Sequence, residues 1–234
     1  HDPGLRAVPR LGQDDLAPPG AVAKLRANLI ALEVLGRCAD EERWATPEEQ
    51  VLLARWSGWG SVPQVFDEAD QRFAAERLEL RQLLSNDEAW AQARRTTLNA
   101  HYTPAGVVES MWRATADLGA TGPIRALEPG CGSGNFLAFA PSQAELTGVE
   151  LDATTGRIAQ HLYGQRAAVH IGPFEHLRMD DGSFDVVIGN VPFAKVTPHD
   201  PHHNRGRHAL HNYFLLKSLH LVRPRGIVMA LTSR

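Results

Sequence analysis

Three short stretches of this chain carry residue types that could do chemistry together. The first is Leu127-Glu128-Pro129-Gly130-Cys131-Gly132-Ser133-Gly134-Asn135-Phe136-Leu137, an apolar run that ends in an acid and a glycine-rich turn. Alternating glycines allow positive φ and let the backbone approach a ligand closely. The spacing is GxGxG, unlike the GxGxxG of dinucleotide folds, and Glu128 would repel a pyrophosphate. An acid at this point suits a ligand that carries an ammonium and a sulfonium. The second stretch is Gly148-Val149-Glu150-Leu151-Asp152, where a carboxylate at a strand end can accept both hydroxyls of a ribose. Asp152 reads better as a helix N-cap. A glycine turn followed by Glu150 at this distance points to an adenosyl ligand. The third stretch, Phe184-Asp185-Val186-Val187-Ile188-Gly189-Asn190-Val191-Pro192-Phe193, delivers a polar residue and an aromatic to one edge.

The elements that must position these stretches follow from the patterning. Residues 1–19 are rich in Pro, Gly and Asp and read as a flexible lead-in. Val22, Leu25, Leu29, Leu32 and Leu35 recur at helical spacing, with Gly36 placed to cap the helix. Thr46-Pro47-Glu48-Glu49 is a capping-box start for a second helix, and Trp56-Ser57-Gly58-Trp59-Gly60 reads as a packed aromatic corner. Helical patterns over 67–84 and 87–98 complete a helical region at 20–100. From 101 onwards a helix opened by Thr103-Pro104 precedes apolar runs near 124–128, 146–151, 167–171, 184–189 and 226–232, alternating with helices. That order predicts right-handed βαβ units in a parallel sheet, an α/β domain over 101–234.

Composition narrows the class. Hydrophobic residues make up 43% of the chain, yet no run approaches the roughly 20 apolar residues a membrane span needs. Cys38 and Cys131 are far apart and near no zinc-type spacing, and the start at His1 carries no signal peptide; a fragment of a cytoplasmic, reduced protein is expected. The net charge of -3 excludes a uniformly basic nucleic-acid binder, but residues 190–234 hold seven Lys or Arg (Lys195, Arg205, Arg207, Lys217, Arg223, Arg225, Arg234) against Asp200 alone. His199, His202, His203, His208 and His211 crowd the same region; without a cysteine, and with two of them adjacent, they point away from a metal site. With Lys195, Arg205 and Arg207 they are expected to form a mobile loop that contacts phosphates.

Taken with His101-Tyr102-Thr103-Pro104, the three stretches resemble the amino-group DNA methyltransferases, whose fourth-strand signature is Asn-Pro-Pro followed by Tyr or Phe. The placing of Tyr-Thr-Pro ahead of the glycine turn is similar to one subgroup. More narrowly, Trp59-Gly60, Asn190-Val191-Pro192-Phe193 and His211-Asn212-Tyr213-Phe214 resemble the methylase section of large plasmid- and phage-borne proteins that often fuse it to a helicase. The resemblance spans roughly residues 20–234. It implies a Rossmann-like class I methyltransferase sheet, here stopping after its fifth strand, with S-adenosylmethionine as cofactor. It also implies DNA as partner, a fused or associated helicase region, no metal and no membrane. The reaction implied is methylation of the exocyclic N6 of a flipped-out adenine, in a restriction-modification, plasmid or phage setting. By the same resemblance, Tyr102 and Thr103 lie at the methionine end of the cofactor, where Thr103 helps hold the carboxylate; Glu128, Gly130, Gly132 and Gly134 shape the amino-acid end. Glu150 takes the ribose, with Leu151 beside it, and Phe174 packs on the adenine, while Asn190, Val191, Pro192 and Phe193 hold the target base. Two positions depart from the pattern: Val191 replaces the first proline of the pair, and Pro173 stands where an aspartate usually meets the cofactor's adenine amine.

The same device methylates glutamine side chains in proteins and exocyclic amines in RNA, so the chemistry alone does not name the polymer. The Tyr-Thr-Pro motif and the basic segment favour DNA. A non-catalytic cofactor-binding or scaffold module of a larger DNA-processing protein is the alternative.

Overall fold

The computed structural model describes residues 16–84, 86–98 and 103–232, and the chain divides into two compact units, 1–102 and 103–234. Much of the expected lead-in, and Tyr102, lie outside the described residues.

The first unit is helical. Its longest helix, α1 (Ala21–Asp40), buries Leu25, Leu29, Val34 and Cys38 along one stripe. Gly36 does not end it: the helix runs on to Asp40, because burying Val34 and Cys38 on either side outweighs the ~1 kcal/mol that an interior glycine costs. Thr46 opens α2 (Pro47–Ala54) with a reciprocal capping box, its hydroxyl accepting from the Glu49 N–H while the Glu49 carboxylate accepts from the Thr46 N–H at 3.0 Å. The Trp56 to Gly60 segment is a packed corner: Trp56 and Trp59 are buried edge to face at 5.3 Å, and Asn28 on α1 bonds both the Gly58 carbonyl and the Ser57 N–H. The helical pattern over 67–84 resolves into a 3-10 turn at Gln71–Phe73 followed by α3 (Ala74–Leu83), because the Asp70 side chain takes the Arg72 N–H and starts the turn there. Asn86 caps α4 (Asp87–Arg95) by accepting from the Ala89 N–H.

The second unit is a five-stranded, wholly parallel sheet in the order β3-β2-β1-β4-β5, built from β1 (Arg125–Pro129), β2 (Glu145–Glu150), β3 (Ala167–Ile171), β4 (Phe184–Asn190) and β5 (Val222–Leu231). Between them lie α5 (Ala105–Asp117) ahead of the sheet, α6 (Asn135–Ala138), α7 (Ala153–Tyr163) and α8 (Leu210–Leu221). This is the Rossmann-like α/β arrangement that the alternating pattern predicts, preceded by a helical region. The strands are nearly continuous apolar runs because helices cover both faces of a parallel sheet. Leu127, Val149, Val187 and Val191 pack with Tyr213, Phe214 and Leu221 of α8 in one buried cluster. β5 starts at Val222, earlier than the apolar run alone indicates, because Phe184 pairs with Val222 before a register shift and Arg223 pairs with Asp185.

The direction of the chain reverses between β1 and β4, so the carboxyl ends of those strands open a crevice at the switch point, where ligands bind in open α/β sheets.

The connection from β4 to α8 is a packed part of the fold and corrects two expectations. Asp200 is buried, and its carboxylate accepts from the His202 and His203 N–H groups (3.0 Å each), the Tyr213 hydroxyl (2.8 Å) and Lys217 Nζ (3.2 Å). Asn204 bonds the Pro198 and His208 carbonyls and the His208 N–H. Tied down in this way, the segment is packed in place and not mobile, while Lys195, Arg205 and Arg207 remain exposed. Lys217 is fully buried, bonded also to the Phe174 carbonyl at 2.8 Å, so it is no part of an anion-facing surface.

Candidate active site

Each wall of the crevice is set by backbone that the sequence shapes locally. In the turn after β1, Gly130, Gly132 and Gly134 have φ of 72°, 56° and 95°, a region that costs other residues strain. At Gly134 space matters as well: a Cβ there would sit 2.6 Å from the Tyr163 ring. The Gly130 and Cys131 N–H groups donate to the Val149 carbonyl at 2.8 and 2.9 Å, which locks the turn against the end of β2.

Thr103 joins this turn. Its carbonyl accepts from the Asn135 side-chain amide at 3.1 Å, and further along α5 the Trp112 indole N–H donates to the Phe136 carbonyl at 2.9 Å. Asn135 and Trp112 were not among the residues that the sequence singled out, although Asn135 directly follows the last glycine. Gly148 and Gly189 were also missed as determinants; glycines inside otherwise bulky buried strands were their signal. A Cβ at Gly148 would meet Cys131 Sγ at 3.0 Å, and one at Gly189 would already touch Glu128 Cγ at 3.6 Å.

Two carboxylates face this crevice, Glu128 buried and Glu150 half-buried. Glu150 accepts the Gly132 N–H at 2.9 Å through one oxygen and the Asp152 N–H at 2.8 Å through the other, leaving lone pairs on both. Burial pushes its carboxyl up to about 7, against those two N–H bonds. Glu128 is held by the Phe136 and Leu137 N–H groups, and burial first, then the charge of Glu150, pushes it well above the usual carboxylate range. Its Oε2 is buried and has no hydrogen-bond partner among the described residues. An orphaned buried carboxylate oxygen beside a second acid is a site that a cationic ligand would satisfy, and an anionic one would not.

The remaining candidate residues divide between the crevice and the core. Continuing the β1–β4 register, in which Leu127 pairs with Val187, puts Asn190 level with Gly130. A Cβ at Gly130 would be 3.9 Å from Pro192 Cδ, so the motif after β4 adjoins the glycine turn. Val191 is buried, its N–H donating to the Leu231 carbonyl at 3.0 Å, which fixes the backbone that follows Asn190. Phe193 is 41% exposed and stacks one face on His211 at 5.2 Å. Leu151 is 66% exposed at the rim beside Glu150. Phe174 lies elsewhere: it is buried against Phe214 (4.9 Å) and Tyr213 (6.0 Å) with Lys217 over its ring, because α8 covers it, so its face is not open to an adenine. Asp152 caps α7, accepting from the Thr155 N–H at 2.8 Å.

Residues 126–207, which hold the glycine turn, Glu150 and Asn190, match the family model of the methyltransferase domain. The match covers 82 of the 234 residues and likens this stretch, not the whole chain, to a methyltransferase domain. It is similar, at 32% identity over 145 residues, to the Defense against restriction protein B of Escherichia phage P1, and at 30% over 125 residues to the Modification methylase CviBIII of Paramecium bursaria Chlorella virus NC1A. The matches cover 56% and 50% of the chain but only 6% and 33% of those relatives, so the chain spans a minor part of either. Among solved structures, the type I restriction-modification system methyltransferase subunit from Streptococcus thermophilus aligns at a TM-score of 0.48 and 18% identity, over 80% of this chain and 44% of that one. The family match and the acidic, glycine-built crevice support S-adenosylmethionine as the cofactor of the methyltransferase domain. Glu128 and the glycine turn would hold its cationic amino-acid end, and Glu150 its ribose; bound there, it supplies an electrophilic methyl group on a sulfonium. Among the described residues no helix is long and apolar enough to cross a membrane.

The protonation of the methyltransferase domain's acids gives a test. A cation favours the ionised carboxylates, so binding below the Glu150 value of about 7 must expel protons. At pH 6.5 calorimetry of S-adenosylmethionine binding in buffers of different ionisation enthalpy is expected to show net proton release, and affinity should rise as pH increases towards 7.5. Affinity that falls over that range would contradict the assignment of Glu128 and Glu150 to the cofactor.

Proposed function

We propose that this protein transfers the methyl group of S-adenosylmethionine to the exocyclic N6 of an adenine flipped out of DNA. The observation that carries the reading is the meeting of the Asn190-Val191-Pro192-Phe193 segment with the acid-lined glycine turn at one switch point, Pro192 lying against Gly130. The adenine amine is a weak nucleophile because its lone pair is delocalised into the ring. Acceptors on both N–H bonds, the Asn190 side-chain oxygen and the Val191 carbonyl, would let the nitrogen pyramidalise and direct the lone pair at the methyl carbon. Glu128 and Glu150 anchor the donor on the β1 and β2 side while Asn190 anchors the acceptor from β4, so the sheet itself sets the line of transfer. Orientation of this kind can be worth about 7–11 kcal/mol.

The target nitrogen is out of reach inside a duplex, and extruding the base costs a few kcal/mol. Stacking on an aromatic returns roughly 1–3 kcal/mol, and Phe193, exposed on one face and backed by His211, offers that surface. The likeness to a modification methylase and to a restriction-defence protein supports DNA as the polymer.

The test is incubation of the protein with methyl-labelled S-adenosylmethionine and, in parallel, duplex DNA, tRNA and a glutamine-bearing protein. N6-methyladenine detected by mass spectrometry in the DNA arm is the expected result. Label confined to RNA or to protein, or cofactor binding without label in any arm, would overturn it.

A further inference from the structure

At the opposite edge of the sheet from Asn190, four side chains from three separated segments converge. Asp181 lies in the turn just before β4, His202 and His203 in the connection after β4, and His220 in the last turn of α8, just before β5. The Asp181 carboxylate is 2.9 Å from His203 Nε2, 3.7 Å from His202 Nε2 and 3.6 Å from His220 Nδ1. The His203 ring meets His202 edge to face at 4.3 Å and His220 at 5.3 Å. One ligand atom each from Asp181, His202 and His203 lies within 4.8 Å of the others.

We propose that Asp181, His202, His203 and His220 form a binding site for a divalent transition-metal ion of the zinc class. The spacing fits. With metal–ligand distances of about 2.0–2.2 Å, a tetrahedral ion needs its ligand atoms about 3.4 Å apart; the contacts of Asp181 bracket that value, Asp181, His202 and His203 form the mutually close set, and the exposed His220 ring would turn in as the fourth ligand. The donor set fits as well: imidazoles with one carboxylate suit zinc, copper or nickel, whereas magnesium and calcium prefer oxygen alone.

Independent support comes from what stands behind the buried member. His203 Nδ1 is 3.4 Å from the buried Asp200 carboxylate, itself fixed by Lys217 and Tyr213. A metal-binding histidine commonly gives its other ring N–H to a carboxylate, which leaves the free lone pair on the ligating nitrogen. Asp200 lies within charge-pair distance of Nδ1, and a small turn of the ring would bring that N–H onto it and leave Nε2, the nitrogen bonded to Asp181, to the metal. The other three members are exposed, so an ion can enter from solvent. Spacing along the sequence pointed away from a metal because it brought in neither Asp181 nor His220.

Because the cluster lies at the amino end of β4 and β5, the ion would take no part in methyl transfer. It would staple the β4–α8 connection to the turn before β4 and to the end of α8, holding down the segment that begins with Asn190.

Zinc titration of the whole chain, with cobalt as a spectroscopic probe, tests the site. One ion per chain and the intense visible absorption of tetrahedral cobalt are expected. His202→Ala and His220→Ala, both exposed positions, should each weaken zinc binding at least tenfold with the circular dichroism unchanged, while His199→Ala on the same connection stays within twofold. Zinc should also raise the thermal midpoint of the wild type by several degrees and leave that of His202→Ala unmoved. No saturable uptake at 100 µM zinc, or uptake indifferent to His202 and His220, would overturn the proposal.

Discussion

Asn190→Ala is expected to lower kcat for the proposed adenine methylation by about 10²- to 10³-fold while S-adenosylmethionine binds within about twofold of wild type. The size follows from removing one preorganised acceptor from a centre where charge develops. As the amine attacks a sulfonium, its nitrogen becomes cationic and its hydrogens more acidic, so an oxygen holding one of them stabilises the transition state more than the ground state. Asn190 ends β4, paired with Leu231 of β5 and followed by the buried Val191, so the loss is one of chemistry and not of fold. Asn190→Asp retains an acceptor oxygen and should recover much of the rate. Single-turnover methylation with calorimetry of cofactor binding separates the effects; a variant that loses both together would place Asn190 in the cofactor site instead.

The largest stability effect is expected at Asp200. Asp200→Ala leaves the Lys217 ammonium buried beneath Phe174 with its carboxylate gone, and should destabilise the sheet unit by about 3–5 kcal/mol. It also strips partners from the Tyr213 hydroxyl and two backbone N–H groups. Burial works against the ionised Asp200, yet the His203 N–H, the Tyr213 hydroxyl and Lys217 hold its carboxyl well below the usual range. It thus stays charged through neutral pH, and its contribution is lost only in strong acid. Urea unfolding followed by circular dichroism measures the cost. The double variant Asp200→Leu with Lys217→Met removes both charges and should regain most of it, since an apolar pair of similar volume often equals a buried ion pair. Equal destabilisation by single and double variants would mean that the backbone contacts of Asp200, and not its ion pair, carry the effect.

What could be read from the residues alone follows a physical division. The parallel sheet was legible because Leu127, Val149, Val187 and their neighbours form short apolar runs with helical periods between them, and both signals are local. So were the glycine turn and the Asp152 cap, each written in consecutive residues. The end of α1 was misplaced because packing around Gly36 overrode a local stop signal. Phe174 could be assigned to the adenine only by its position after β3; that α8 covers it depends on tertiary packing. The Asp200–Lys217–Tyr213 network and the contacts of Asp181 join residues 13 to 39 positions apart, beyond any short-range pattern. The basic charge counted over residues 190–234 overstates the exposed set for the same reason, since counting cannot tell that Lys217 points inward and that Arg223 is taken by Asp185.

The distribution of indoles gives the molecule two optical reporters. Trp44, Trp56, Trp59 and Trp90 all belong to the helical unit, where Trp56, Trp59, Phe66 and Trp90 form a continuous chain of edge-to-face rings. Trp112 alone belongs to the sheet unit, its N–H tied to the carbonyl that follows Asn135. Bulk emission therefore tracks the melting of the helices, whereas a chain stripped to that fifth indole would fluoresce from beside the glycine turn and sense whatever settles there.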